Sequence, residues 1–256
     1  MRLHRPHLVL SAVLVTVIAA SAASAESGVL VGAKGGFNTA KLVGDPVTLF
    51  VNRPGLDVSG RVDDWQEGFV VGGFVRWGLS EYVGLQIELL FSQKGGEGTV
   101  FGTADVEYAP GLTRTGEING VMSVQMDYVE VPVFAVFSFP TDASDKVDLT
   151  ASAGAYFAYN TAAWAYIEGE GQVELEDGSF QRVNFDQRWG MGSFVDRVDV
   201  GGLLGAGLEW SLEKTTLLFD FRWEFGFLSI DGTDKNSSVR NNVISLTFGV
   251  GLPVGR

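Results

Sequence analysis

The sequence predicts an all-β protein: an eight-stranded antiparallel up-and-down β-barrel that spans a membrane, with long extracellular loops and short periplasmic turns. Three observations carry that expectation. The segment Val198–Phe227 alternates strictly with period two through two runs of about 11 to 13 residues, and period two means strand, because successive side chains point to opposite faces. Those runs exceed the roughly 5–6 residues usual in soluble strands and match the about 9–11 that a tilted strand needs to cross a bilayer. The connections between periodic runs also alternate long and short along the chain, as in outer-membrane barrels; a soluble sandwich has no reason to do so.

The elements follow in order. Arg2, His4, Arg5 and His7 precede the apolar run Leu8–Ala20 and Ala23-Ser24-Ala25, the form of a signal peptide over residues 1–25, cleaved before Glu26. Residues 26–256 are then one barrel domain. Strand one is Val29–Lys41, with Lys34 and Asn38 on the inward parity; the polar segment Leu42–Glu67, with Pro46 and Pro54, follows. Strand two, Phe69–Leu79, turns Phe69, Val71, Val75 and Trp77 outward and Arg76 inward. A tight turn at Ser80-Glu81 leads to strand three, Val83–Lys94, which turns Leu85, Ile87, Leu89 and Phe91 outward and Gln86, Glu88, Ser92 and Lys94 inward. Gly95–Val121 is a Gly- and Thr-rich connection that can continue as strand beyond the bilayer.

Strand four is Met126–Phe139; Pro132 within it has no N–H for the ladder, so a local bulge is expected there. A turn at Thr141–Lys146 leads to strand five, Val147–Tyr159, and the third long connection is Asn160–Arg197. Leu149–Ile167 has no charge over 19 residues. Its Thr150, Ser152, Gly154, Asn160 and Thr161 nevertheless make it too polar for a spanning helix. Strands six and seven are the Val198–Phe227 hairpin around SLEKT; Leu228–Arg240, with DGTDKNSS, is the fourth long connection, and Asn242–Leu252 is strand eight.

Parity assigns ten charged side chains to the lumen: Lys34, Arg76, Glu88, Lys94, Glu130, Asp199, Glu209, Asp220, Arg222 and Glu224. Turning an arginine to lipid costs roughly 2–4 kcal/mol at midplane. An eight-stranded barrel has room for little beyond side chains, so a salt-bridged filling is expected rather than an ion path or a catalytic carboxylate pair. Trp77, Tyr82, Phe139 and Trp210 fall near the short-turn end, and Phe37, Phe91, Phe225 and Phe227 near the other. They read as interfacial aromatic girdles rather than ligand-stacking groups. The acidic stretch Glu168–Asp177 lacks the spaced pattern of a calcium loop and reads as a solvated hairpin. Trp164 and Trp189, in the third long connection, are the candidates for contact with a partner.

Composition excludes whole classes. Without Arg2 and Arg5 the chain carries 16 basic against 31 acidic residues, an unfavourable surface for nucleic acid. There is no cysteine, and both histidines lie in the leader. Cysteine nucleophiles, His-based acid–base chemistry and common zinc sites are therefore not expected, and no cofactor is implied.

The ordered segments VGAKGGFNTAKLVGD, VGLQIELLFSQKG, DYVEVPVFAVF, GLLGAGLEW and NNVISLTFGVG resemble the PorT-like, or porin-family, outer-membrane β-barrel proteins, related in architecture to OmpA- and OmpX-type barrels. The resemblance covers nearly the whole mature chain. It implies an eight-stranded barrel in the outer membrane of a diderm bacterium; some relatives are associated with protein secretion. Such barrels commonly end in an aromatic residue, whereas this chain ends LPVGR, with Phe248 the last aromatic. The expected role is that of a non-enzymatic protein presenting Leu42–Glu67, Gly95–Val121 and Asn160–Arg197 outside the cell. Its expected partners are outer-membrane lipid and lipopolysaccharide, with an unidentified extracellular or secretion partner, and it is expected to be a monomer. The competing readings are a narrow pore or secretion accessory, an outer-membrane hydrolase, and a soluble lipocalin-like barrel.

Overall fold

The computed structural model describes residues 28–254 apart from 142–143, 176–177 and 235; the expected leader lies outside the described residues. Among the described residues eleven strands form: β1 Val29–Val43, β2 Val47–Arg53, β3 Leu56–Asp64, β4 Gln66–Gly78, β5 Val83–Ala109, β6 Leu112–Thr141, β7 Ser144–Glu174, β8 Phe180–Gly190, β9 Val198–Ser211, β10 Thr216–Gly226 and β11 Arg240–Val254. All pairings are antiparallel. Eight strands, β1, β4, β5, β6, β7, β9, β10 and β11, bond each to the next, and β11 bonds back to β1, so the circuit closes. Closure removes the free edges that lipid cannot satisfy.

In the hairpin β9–β10 the alternation resolves as lipid-facing apolar and lumen-facing polar groups. Phe219, Phe221 and Trp223 are 43%, 47% and 43% exposed, while Arg222 between them is 4% exposed. Tyr82, Phe139 and Trp210 are exposed towards the short-turn end, and Phe37 and Phe227 towards the other. Phe225 packs between Trp223 and Phe227, tilted to one and edge-on to the other, with ring centroids 5.1 and 5.7 Å apart.

Three of the long connections are strand rather than irregular loop. Leu42–Glu67 holds the β2–β3 hairpin, Gly95–Val121 continues β5 and β6 almost to their Pro110-Gly111 turn, and Asn160–Arg197 continues β7 and adds β8. Beyond the barrel rim these strands bond in the order β2-β3-β5-β6-β7-β8, a curled open sheet termed the crown below. Its concave face is apolar: Leu56, Val58, Val100, Ile118, Met122 and Ile167 are all buried.

Two local devices make the transition. Near Gly95 the edge of β5 passes from β4, last paired at Val70–Ser92, to β3, first paired at Asp64–Glu97. Gly95 has φ of 152°, and a Cβ there would lie 1.8 Å from the Val124 carbonyl oxygen, so only glycine fits. On β7 the register with β6 shifts between Asp127–Ala162 and Tyr128–Asn160. Thr161 is the extra residue, its hydroxyl donating to the Asp127 carbonyl over 3.0 Å. One inserted residue reverses the parity of everything after it: Tyr159 and Phe157 face out below, and Ala163, Ala165 and Ile167 face in above.

The bulge expected at Pro132 does not form. Pro132 pairs with Tyr156 in unbroken register with β7. Towards β5 the ladder runs from Ile87–Val133 to Leu90–Glu130 without a shift, leaving Glu88 and Leu89 unpaired between them. The missing donor opens a gap in one ladder, and closure on both sides holds the register.

Candidate functional site

All ten charges that parity assigns to the lumen lie inside the barrel, and the structure joins most of them in one network. At the short-turn end Arg76 pairs with Glu209, and its Nε donates to Gln86 Oε1 over 2.6 Å. Gln86 Nε2 donates to Glu88 Oε1 over 2.6 Å. Glu88, 1% exposed, is the hub. It accepts from Arg222 Nη1 and Nη2 at 2.8 and 3.1 Å and from Lys34 Nζ at 3.0 Å. Lys34 also reaches Asp220 Oδ2 at 2.9 Å. These partners come from β1, β4, β5, β9 and β10, so the network ties opposite walls of the tube together.

Nearer the crown Lys94 is the centre. Its Nζ lies 2.7 Å from Glu130 Oε2 and 3.3 Å from Glu224 Oε2, and 4.2 Å from the centroid of the Tyr156 ring. Arg222 Nη1 lies 3.9 Å from Glu224 Oε1, which links the two clusters. The contacts to Glu88 are charged hydrogen bonds, the strong kind; those of Lys94 are ion pairs by distance, with Lys94 Nζ and both Glu130 carboxylate oxygens out of hydrogen-bond geometry.

Asp199 is the exception. It is fully buried, and no ion pair to it is found among the described residues. Neutral donors reach it instead: Tyr156 Oη donates to Oδ2 over 3.2 Å and Asn241 Nδ2 over 2.9 Å. Asn241 Nδ2 also lies 3.3 Å from Tyr128 Oη. Tyr156 reaches this point because its ring lies over Gly201, where a Cβ would stand 2.5 Å from a ring carbon. Tyr128, Tyr156 and Asn241 are among the lumen residues that sequence reasoning missed, as is Phe134, whose ring lies 4.6 Å from the Arg222 guanidinium. The two tyrosines sit on the inward parity and were readable; Asn241 fell just outside the expected eighth strand.

Of the two tryptophans singled out, Trp164 faces outward on β7, with the Arg188 guanidinium 3.9 Å from its ring centroid. Trp189, on β8, instead packs against the buried crown cluster, because the Thr161 bulge sets which parity faces in. In the acidic stretch Glu168 and Glu170 face outward, Glu170 lying 3.8 Å from Arg182; residues 176–177 of that stretch lie outside the described residues.

A family model described as outer membrane protein beta-barrel domain matches residues 19–232. Among solved structures, the chain is similar to Ail, the attachment invasion locus protein of Yersinia pestis, at 13% identity and a TM-score of 0.34, covering 88% of this chain and 98% of that one. It is similar to Neisserial surface protein A at 14% identity and a TM-score of 0.39, covering 89% and 99%. OprG from Pseudomonas aeruginosa matches at 10% identity and a TM-score of 0.40, covering 91% and 98%. No curated protein matches the chain.

Proposed function

This chain belongs to the outer membrane β-barrel domain family, and from that premise we propose that it is a non-enzymatic protein with a structural and binding role: the barrel anchors it and the crown is its working surface. The protein lies in the cell outer membrane. In this reading residues 1–25 are the cleaved export signal, both termini are periplasmic and the crown stands outside the cell, beside lipopolysaccharide. We read it as a member of the PorT-like branch, supported by the ordered segments that resemble those proteins.

The observation that carries the proposal is the lumen network. Glu88 holds two cations and Lys94 lies between two carboxylates, so the tube is filled largely by opposed charges. Parting such pairs inside a narrow barrel leaves charges uncompensated in a poorly hydrated space. The same pairing argues against catalysis. Glu88, Glu130, Glu209 and Glu224 each have a cation partner, and outside the leader there is neither His nor Cys.

A narrow pore is the second reading. It is favoured by the imbalance of six lumen carboxylates against four cations and by Asp199, which neutral donors alone hold. Planar-bilayer recording separates the two. The filled lumen predicts a silent bilayer over prolonged recording; reproducible unitary steps would favour the pore.

A further inference from the structure

We infer that the crown holds a binding site for a small phenol-like molecule: an apolar body about the size of a benzene ring carrying one hydroxyl or amine group. The site is a cavity of about 180 Å³ between the end of β1, the concave face of β6 and the connections 191–197 and 228–239. Leu42, Val124, Met126, Met191, Ile230 and Val239 wall it, and all six are buried members of the crown cluster. An engineered apolar cavity of roughly 150 Å³ in another protein stays dry and takes benzene. This pocket is of similar size but opens to solvent, and its apolar inner walls suit a ring-sized body.

The polar lining residues are less buried than the six apolar wall residues. Thr48, Asp231, Thr233 and Ser237 also line it, and their hydroxyls and carboxylate suit a ligand that donates a hydrogen bond. Asp231 is kept ionised: burial opposes this, but hydrogen bonds from the Thr233 hydroxyl and amide and the Asp234 amide hold its carboxyl below the ordinary value. Two thioethers in the wall, from Met126 and Met191, adapt to shape and favour aromatic rings.

The walls are built rather than left between loose tips. Asp196 N donates to the Ile230 carbonyl over 2.8 Å, Gly232 N to the Phe194 carbonyl over 3.0 Å and Ile230 N to the Val239 carbonyl over 2.8 Å. Ser238 N donates to Asp45 Oδ2 over 2.8 Å, tying the fourth connection to the first. The floor is Met126, whose sulfur accepts from Tyr128 Oη over 3.6 Å, and below it lies the filled lumen. The site therefore holds its ligand rather than passing it on, a point that rests on the lumen reading above.

The methionines test this. Beyond Met1 the chain has Met122, Met126 and Met191; the last two line the cavity, and Met122 is buried elsewhere in the crown. With ¹³C-methyl methionine in the mature chain in lipid nanodiscs, p-cresol should shift Met126 and Met191 saturably and leave Met122 in place. Val239→Phe, which fills the cavity, should weaken binding about tenfold or more. Thr48→Val should weaken p-cresol several-fold and leave toluene unchanged. Absence of shifts at Met126 and Met191, or a non-saturating drift of all three methyls from partition into lipid, would overturn the site. The lumen reading fails separately: unitary conductance with p-cresol binding intact removes the filled lumen and leaves the site, whereas a silent bilayer without methyl shifts does the reverse.

Discussion

Barrel and crown are built from the same three strands and follow opposite rules. On the barrel part of β6, Val129, Val131 and Val133 face out and Glu130 faces in; further along the same strand Glu117 and Asn119 face out and Ile118 faces in. β5 repeats the contrast. Leu89 and Phe91 are outward below and Thr99 and Thr103 above, while inward Glu88 and Lys94 give way to Val100 and Ala104. Antiparallel pairing between β5 and β6 continues across the boundary from Val83–Phe137 to Glu107–Thr113. Between β5 and β6 the backbone therefore does not distinguish the regions. The solvent does: acyl chains around the barrel accept apolar groups and leave charge to the lumen, and water around the crown does the reverse.

The comparison can be broken most severely at Thr161. Deleting it should turn Ile167 and Val173 out of the crown core, a loss on the order of 3–6 kcal/mol from those two side chains at about 1.5–3 each. Limited proteolysis should then cut within β7–β8 while the barrel keeps its heat-modifiable gel mobility; simultaneous loss of both would mean that the crown is not a separable layer. In the barrel, Glu88→Ala leaves Arg222 and Lys34 without their shared carboxylate and should cost about 3–5 kcal/mol, read by urea unfolding in vesicles. Adding Arg222→Leu should recover part of that, through the coupling expected between contacting residues.

An outward arginine sharpens the contrast between the two solvents. Phe221→Arg, on the lipid face, should cost about 2–4 kcal/mol. Thr99→Arg, on the outer face of the crown, should stay within about 0.5 kcal/mol; equal costs would mean that lipid reaches the crown. The smallest effect concerns pH. The Asp231 carboxyl is held below its ordinary value of 3.8. Its contribution to the 228–239 connection is thus complete above that value and fades as pH falls through the lowered one. Amide exchange at Thr233 and Asp234 should be steady at neutral pH and accelerate only in that acid range, and Asp231→Asn should remove the pH dependence.

The barrel was readable because lipid enforces long, clean alternation. Strands such as Val83–Lys94 and Asn242–Leu252 appear with the expected parity, and their inward charges follow. The crown was harder to read. Many of its outward positions, Glu117, Asn119, Glu168 and Glu170 among them, are polar, with Phe101 and Phe180 as exposed exceptions, and its inward ones include glycines, so the stretches resemble loop when lipid-facing bands are the criterion. Thr161 carries no mark of a bulge in one dimension, and without it Trp189 cannot be assigned to the inner face. Pro132 misled in the other direction: local chemistry asks for a bulge, and a wall paired on both sides holds the register instead.

The sequence by itself determined which residues form strands, which side chains avoid lipid and that the chain belongs in a membrane, because alternation and length are local properties that the bilayer reads directly. Tertiary structure decided the rest. Lys34 meets Asp220 across a separation of 186 residues, Tyr156 and Asn241 converge on Asp199, and distant connections wall the crown pocket. Those contacts depend on how a sheet of fixed register closes and curls, which places residues side by side that no local pattern relates.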